Sequence, residues 1–229
     1  LQWGRTAAHL TNALSDFSHT DAPTDFKWNP SQTLSGRSLT KYMTAKQAEL
    51  ANFFWDRFEK ETLPQLSSLP QSVNYNDAHE HNLLLGKDGS ISGVIDFGDA
   101  IYTQTLNELA IACAYAGMGV PDPVGAMAEV VAGYGQAVEE DLELHHLFNL
   151  ILGRLLITVA SAADNAHREP ENEYLQISAA PAWILLKNLR GAQPVDSDAR
   201  FTTAFRTDRS PVEDAALAHC LHAHPAQLM

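Results

Sequence analysis

The sequence is short of several things, and each shortage narrows what it can be. It has two cysteines, Cys113 inside an apolar stretch and Cys220 far from it. No disulfide framework is spaced along it, and a reducing compartment fits. Basic residues are outnumbered, 15 Lys and Arg against 28 Asp and Glu, for a formal charge of -13. That balance disfavours a nucleic-acid surface and leaves cationic small molecules as suitable partners. Glycine is scarce at the start, since only Gly4 and Gly36 precede residue 77. No apolar run reads as long enough to cross a bilayer, and no charged-then-apolar leader opens the chain. A soluble, cytoplasmic protein with no membrane and no nucleic-acid partner is the expectation. With 229 residues, 45% of them hydrophobic, the chain can bury a sizeable core, as one large domain or one domain plus a piece of another.

What is present is concentrated in residues 73–100, VNYNDAHEHNLLLGKDGSISGVIDFGDA. Asp77 is followed five residues on by Asn82, and Asp96 opens an Asp-Phe-Gly triplet. Moving a γ-phosphate needs a hydroxyl oriented in line and metal ions that neutralise charge on the phosphate oxygens. A carboxylate must receive the hydroxyl proton, and Mg2+ takes only a few protein oxygens beside water and phosphate. D-x-x-x-x-N followed by D-F-G supplies these parts, with Asp77 as base and Asn82 and Asp96 as metal ligands.

The local pattern suits that chemistry. Leu83-Leu84-Leu85, a turn at Gly86-Lys87-Asp88-Gly89 and the apolar run through Ile91, Val94 and Ile95 read as a β-hairpin. The hairpin would make Asn82 and Asp96 neighbours in space although they are fourteen residues apart. Either half alone is weak, and an ordinary surface hairpin with turn-forming Asn and Asp is the plainer alternative. Asp99, three residues beyond Asp96, is a candidate for recognising a substrate amine or supporting the metal shell, or else a cap of the next turn.

Elsewhere the periodicity is mainly helical. Helices are expected over residues 3–17, 44–63 (stopped by Pro64, beneath the catalytic loop), 105–117, 121–138, 142–163 and 174–189, the last interrupted at Pro181. Residues 18–36 read as an irregular loop anchored by burial of Trp28. Ser210-Pro211-Val212-Glu213 has capping-box spacing, so a short helix is expected over 211–222. In the apolar 105–117 stretch Glu108 is the charged exception, either a cap near the helix start or a pocket carboxylate for a cationic substrate. Arg154 stands inside the most apolar stretch, where a lone guanidinium is costly, so it should meet a carboxylate in the core or at the site. Glu171 and Glu173 read as a solvated face before cation ligands.

On these residues the chain resembles the aminoglycoside phosphotransferase and choline kinase superfamily, whose signature is H-G-D-x-x-x-x-N followed by I-D-F/W. ISGVIDFGDAIYTQTLNELAIACAYAG and RLLITVASAADNAHREPENEYLQISAAPAWILL are similar to its hydroxylysine kinase branch, including the kinase-like domains fused to class III aminotransferases. The resemblance implies an α+β, mostly helical fold, the large C-terminal lobe of a protein-kinase-like enzyme, over residues 1–190. Residues 191–229 would be a tail or the start of a further domain. It also implies Mg2+ as cofactor, ATP or GTP as co-substrate, and as acceptor a small amino alcohol or hydroxy amino acid, hydroxylysine-like, with a fused aminotransferase domain as a partner. His79 matches a position where relatives carry His or Asn near the phosphates. One departure is plain: Tyr75-Asn76 replaces the His-Gly of the signature. Asn tolerates the left-handed backbone that a Gly would supply, whereas Tyr cannot repeat both hydrogen bonds of the His ring. No glycine-rich loop or strand lysine precedes Asp77. The chain therefore reads as a fragment starting at the larger lobe, inactive alone.

Two rivals remain. The histidines, His79 and His81 beside the acids and His145, His146, His219, His222 and His224 elsewhere, suggest a zinc hydrolase, although no four ligands are placed. The stronger rival is a degenerate, non-catalytic kinase-like module that binds or regulates a fused partner.

Overall fold

The computed structural model describes residues 1–172 and 177–207. It is mostly helical with two small antiparallel sheets, the α+β class expected. Helix α1 (Gln2–Leu14) is followed by a 3-10 segment at Pro30–Tyr42 and helix α2 (Ala45–Arg57). Strands β1 (Gln71–Asn74), β2 (Leu83–Leu85), β3 (Ile91–Val94) and β4 (Ile101–Gln104) come next. Helices α3 (Leu106–Ala116), α4 (Pro123–Ala137), α5 (Leu147–Arg168), α6 (Ala179–Leu189) and α7 (Pro194–Arg206) complete the order.

The core is built on α5, apolar nearly all round and buried from Leu147 to Ala160. Such a helix needs cover on every side, and α3, α6 and the 30–42 segment supply it. By length and apolarity α5 could also cross a membrane, contrary to the expectation that no run is long enough, yet most of its apolar stretch is buried inside the fold. Its start is closed from a distance. His146, left-handed at φ 80, leads into it, and the amides of His146 and Phe148 donate to the Asp198 carboxylate of α7 at 3.4 and 3.1 Å. An anion there satisfies donors that a helix N-terminus leaves open.

Several expectations change against the structure. Residues 30–42 are 3-10 helix, with Asn29 accepting from the Ser31 amide as N-cap. Helix α2 opens on a capping box between Thr44 and Gln47, passes into a π turn over Phe58–Thr62 and continues through Pro64 as 3-10 helix to Ser68. It packs on α5 and the 30–42 segment, because an amphipathic pattern gives a face and not its partner. Pro181 does not interrupt α6; it lies in the first turn, where a missing N–H costs nothing. The β1–β4 pairing, Val73 opposite Tyr102, was not expected: four-residue strands carry little period. The helix expected over 211–222 lies outside the described residues.

The glycines of α4 serve close approach rather than breaks. A Cβ on Gly133 would lie 2.0 Å from the Leu1 carbonyl oxygen, and one on Gly135 2.2 Å from that of Phe205. From the other side of the α1–α4 contact, a Cβ on Gly4 would meet the Val130 oxygen at 1.9 Å. Gly4→Ala should therefore destabilise the fold by about 1–3 kcal/mol through overpacking, although helix propensity alone favours Ala by about 1 kcal/mol. Urea denaturation reads the sign directly.

Candidate active site

The loop that leaves β1 is held from three sides. Asn76 takes the left-handed backbone at φ 66, and its amide donates to Glu108 Oε2 of α3 at 2.9 Å. Trp3 of α1 donates from Nε1 to the Ala78 carbonyl at 2.9 Å. The Tyr75 hydroxyl donates to the Ile95 carbonyl, and its ring meets Phe97 edge-on with centroids 4.9 Å apart. Burial, with the charges of Asp77 and Glu108, pushes this phenol far above its ordinary range, so it stays a donor.

Glu108 is thus neither an exposed cap nor a pocket group. Its side chain is 1% exposed under the loop, and burial pushes its carboxyl up to about 7 against the stabilising bond from the Asn76 amide. Its Oε1 and both polar atoms of the Asn76 side chain are buried without a partner among the described residues. The helical pattern marked Glu108 as an exception but could not show which face of α3 lies under the loop.

Asp77 is gripped from both oxygens. Arg154 Nη2 donates to Oδ1 at 3.0 Å, while Asn82 Nδ2 donates to Oδ2 at 2.7 Å and His79 Nε2 lies 3.2 Å from Oδ2. Burial alone would raise this carboxyl, but the His79 bond, the Arg154 charge and the Asn82 bond outweigh it and hold it below the ordinary carboxylate range. His79 Nδ1 accepts from the His81 amide at 3.1 Å, which leaves the proton on Nε2, facing Asp77. The carboxylate expected for Arg154 is therefore Asp77 itself.

The hairpin forms as expected, Leu83 opposite Val94, with an irregularity after Leu84. The Ile95 amide donates to the Asn82 carbonyl at 3.0 Å, so Asp96 follows directly on a contact to Asn82. Asp96 is exposed in the left-handed region at φ 62, with Oδ1 accepting from the Gly98 amide at 3.3 Å. Asn82 uses its Nδ2 on Asp77, which leaves the amide Oδ1 for a ligand. One amide oxygen and one exposed carboxylate fit a magnesium ion that keeps waters and phosphate oxygens as its other ligands. Among the described residues no three His, Cys, Asp or Glu side chains converge as a metal cage, and a zinc hydrolase has no support there.

Asp99 is half-buried; burial and the charge of Asp77 push its carboxyl up, with Arg154 and Lys27 acting the other way. Beside the grip lies a cavity of about 200 Å³ lined by Trp28, His79, His81, Tyr115, Asn165 and Ser178 among others. Of the residues expected at the site His79 lines it, whereas Asp77, Asn82, Asp96, Asp99 and Glu108 do not. Glu171 is exposed, and Glu173 lies outside the described residues. Trp28 and Tyr115 had no motif to mark them. Trp28, expected to anchor residues 18–36 by burial, is half-buried at the cavity, and a buried network in which Asn107 Nδ2 donates to Asn29 Oδ1 at 3.0 Å and to Ser31 Oγ at 2.9 Å fixes the segment that carries it.

Comparison with known proteins gives a consistent picture. A family model described as the phosphotransferase enzyme family matches residues 2–147. The hydroxylysine kinase of Mus musculus is 30% identical over 204 residues, covering 81% of this chain and 54% of that protein. The hydroxylysine kinase of Xenopus laevis is 31% identical over 206 residues, with the same coverage of 81% and 54%. The chain thus spans about half the length of the curated relatives it matches. Among solved structures, amicoumacin kinase hAmiN in complex with AMP-PNP, Ca2+ and Ami superposes with a TM-score of 0.54 at 14% identity, over 82% of this chain and 59% of that one. At that identity the likeness is one of fold.

The raised Glu108 carboxyl has a signed consequence. The folded protein holds a proton near pH 6–7 that the unfolded chain, with an ordinary value of 4.5, has released. Its contribution is therefore full below about pH 4.5 and is lost as pH rises through about 7, on the order of 3 kcal/mol in total. Asp198, raised to about 6 by burial, adds to the lower part of the slope. Glu108→Gln should flatten the decline between about pH 6 and 7, read from urea denaturation at a series of pH values.

Proposed function

The chain belongs to the phosphotransferase enzyme family, and from that membership we propose that it is the larger lobe of a Mg2+-dependent kinase that moves the γ-phosphate of ATP or GTP to the hydroxyl of a small amino alcohol or hydroxy amino acid, hydroxylysine-like. The observation that carries this reading is the grip of Asn82 on Asp77 at 2.7 Å, beside a cavity and next to the exposed Asp96.

Each residue has a part in the proposed reaction. The acceptor lies in the cavity with its hydroxyl on the Asp77 carboxylate, which orients the oxygen in line and receives its proton as the new O–P bond forms and the bond to the leaving nucleoside diphosphate breaks. Asn82 and Asp96 would hold Mg2+, which would neutralise charge on the phosphate oxygens. His79 keeps Asp77 from turning and forms part of the cavity wall. The relatives named hydroxylysine kinase support an amino-acid-sized acceptor.

The tie from Tyr75 to Ile95 supports a working loop over a degenerate one. One hydroxyl bond joins the catalytic loop to the Asp-Phe-Gly segment where the family's His would stand. The sequence before Asp77 holds no glycine-rich loop or strand lysine, so the chain alone should phosphorylate poorly. In the complete gene product Asp77→Ala should lower kcat by about 100-fold or more while nucleotide affinity is kept. Asp96→Ala should instead weaken Mg2+ binding, measured by titration calorimetry. Full turnover in Asp77→Ala, or Mg2+ affinity indifferent to Asp96, would remove these assignments.

A further inference from the structure

We propose that Arg154 is a positioning residue for phosphotransfer, which turns the Asp77 carboxylate so that Oδ1 receives the acceptor hydroxyl. The proposal rests on the kinase reading above.

The first support is what Arg154 would cost as a purely structural residue. It is 2% exposed in the middle of α5, among Leu150, Ile151, Leu155 and Leu156. A buried ion pair is often no better for stability than apolar residues of the same volume. That comparison replaces both partners, so what stability does not account for is the presence of the Arg154–Asp77 pair in place of two apolar residues.

The second support is the form of the pairing. A guanidinium and a carboxylate bind most strongly through two parallel bonds. Here only Nη2 reaches Asp77, while Nη1 donates to the Trp28 carbonyl at 2.9 Å and Nη2 also lies 3.2 Å from the Tyr115 hydroxyl. Nε is buried without a partner among the described residues. The Trp28 and Tyr115 rings lie 5.1 and 5.4 Å from the guanidinium carbon, close enough for cation–π attraction. The guanidinium is thus fixed by groups other than Asp77 and presents one nitrogen to it.

The third support is the count of acceptor sites on the carboxylate. An ionised Asp offers about four lone-pair directions, two on each oxygen. Oδ2 is occupied by Asn82 and His79, while Oδ1 has Arg154 alone. The direction left open is on Oδ1, the oxygen that Arg154 sets in place. Trp28 and Tyr115 both line the cavity and both hold Arg154, so the acceptor and the positioning group share walls. Without Arg154, Asp77 would keep the Asn82 bond but lose the restraint on Oδ1.

The test uses the complete gene product with Arg154→Met, Arg154→Lys and Tyr115→Phe, following kcat, nucleotide KM and thermal unfolding. In Arg154→Met kcat per folded molecule should fall about 100-fold, the scale of a misplaced reacting group, with nucleotide KM unchanged, even where the unpaired Asp77 carboxylate lowers the unfolding temperature. Arg154→Lys should recover part of the loss, and Tyr115→Phe, which removes one bond to the guanidinium, should show a smaller loss of the same kind. Added guanidinium ion should restore turnover to Arg154→Ala, whereas urea, of the same shape but uncharged, should not. A kcat that falls only with the folded fraction makes Arg154 structural and overturns the proposal. Should Arg154→Met and Arg154→Ala not fold, wild-type kcat in both Arg154→Lys and Tyr115→Phe overturns it as well. Turnover that needs Asp77 but is indifferent to Arg154 removes this inference and leaves the kinase reading; no turnover in the unsubstituted protein removes both.

Discussion

The Asp77 carboxylate, which the proposed reaction needs in place beforehand, is held by donors from two parts of the chain. Asn82 and His79 belong to its own loop, whereas Arg154 comes from the centre of α5. The local donors follow from sequence proximity. The distant one requires the whole helical body, since Arg154 reaches Asp77 only if α5 is buried at the right depth and Trp28 arrives from the 30–42 side. The packing of α3, α5 and the 3-10 segment is thus what brings the site together.

The loop is also set from below, through groups unlike those of the family signature. A left-handed Asn76 takes the place of a glycine and aims its amide at Glu108. Tyr75 cannot repeat both bonds of a histidine ring and makes one, from its hydroxyl to the Ile95 carbonyl. That bond links the loop to the segment bearing Asp96. Among the described residues three polar atoms lie buried without a partner beneath the loop, on Glu108 and Asn76.

Much of this was legible in the chain itself. The hairpin could be read because Leu83–Leu85 and Ile91–Val94 flank a turn with two glycines, and turn chemistry is local. Asn76 could be read as left-handed because few residues tolerate that backbone. A lone Arg154 in an apolar run announced a buried carboxylate partner. Its identity could not be read, since 77 residues separate the pair and periodicity carries no long-range information. The same limit applies to Glu108, whose face on α3 depends on where the loop lies, and to Trp28 and Tyr115, which become cavity walls only after the helices pack.

The central claim is that Asn82 and Asp96, with Asp77 clamped beside them, form a site for one divalent cation and the phosphates of a nucleotide. Anomalous diffraction from a crystal of the gene product with Mn2+ and a non-hydrolysable ATP analogue tests it most directly. The account predicts an ion peak within about 2.0–2.3 Å of Asn82 Oδ1 and of an Asp96 carboxylate oxygen, bridged to the phosphates. A nucleotide-bound ion that touches neither side chain would contradict it.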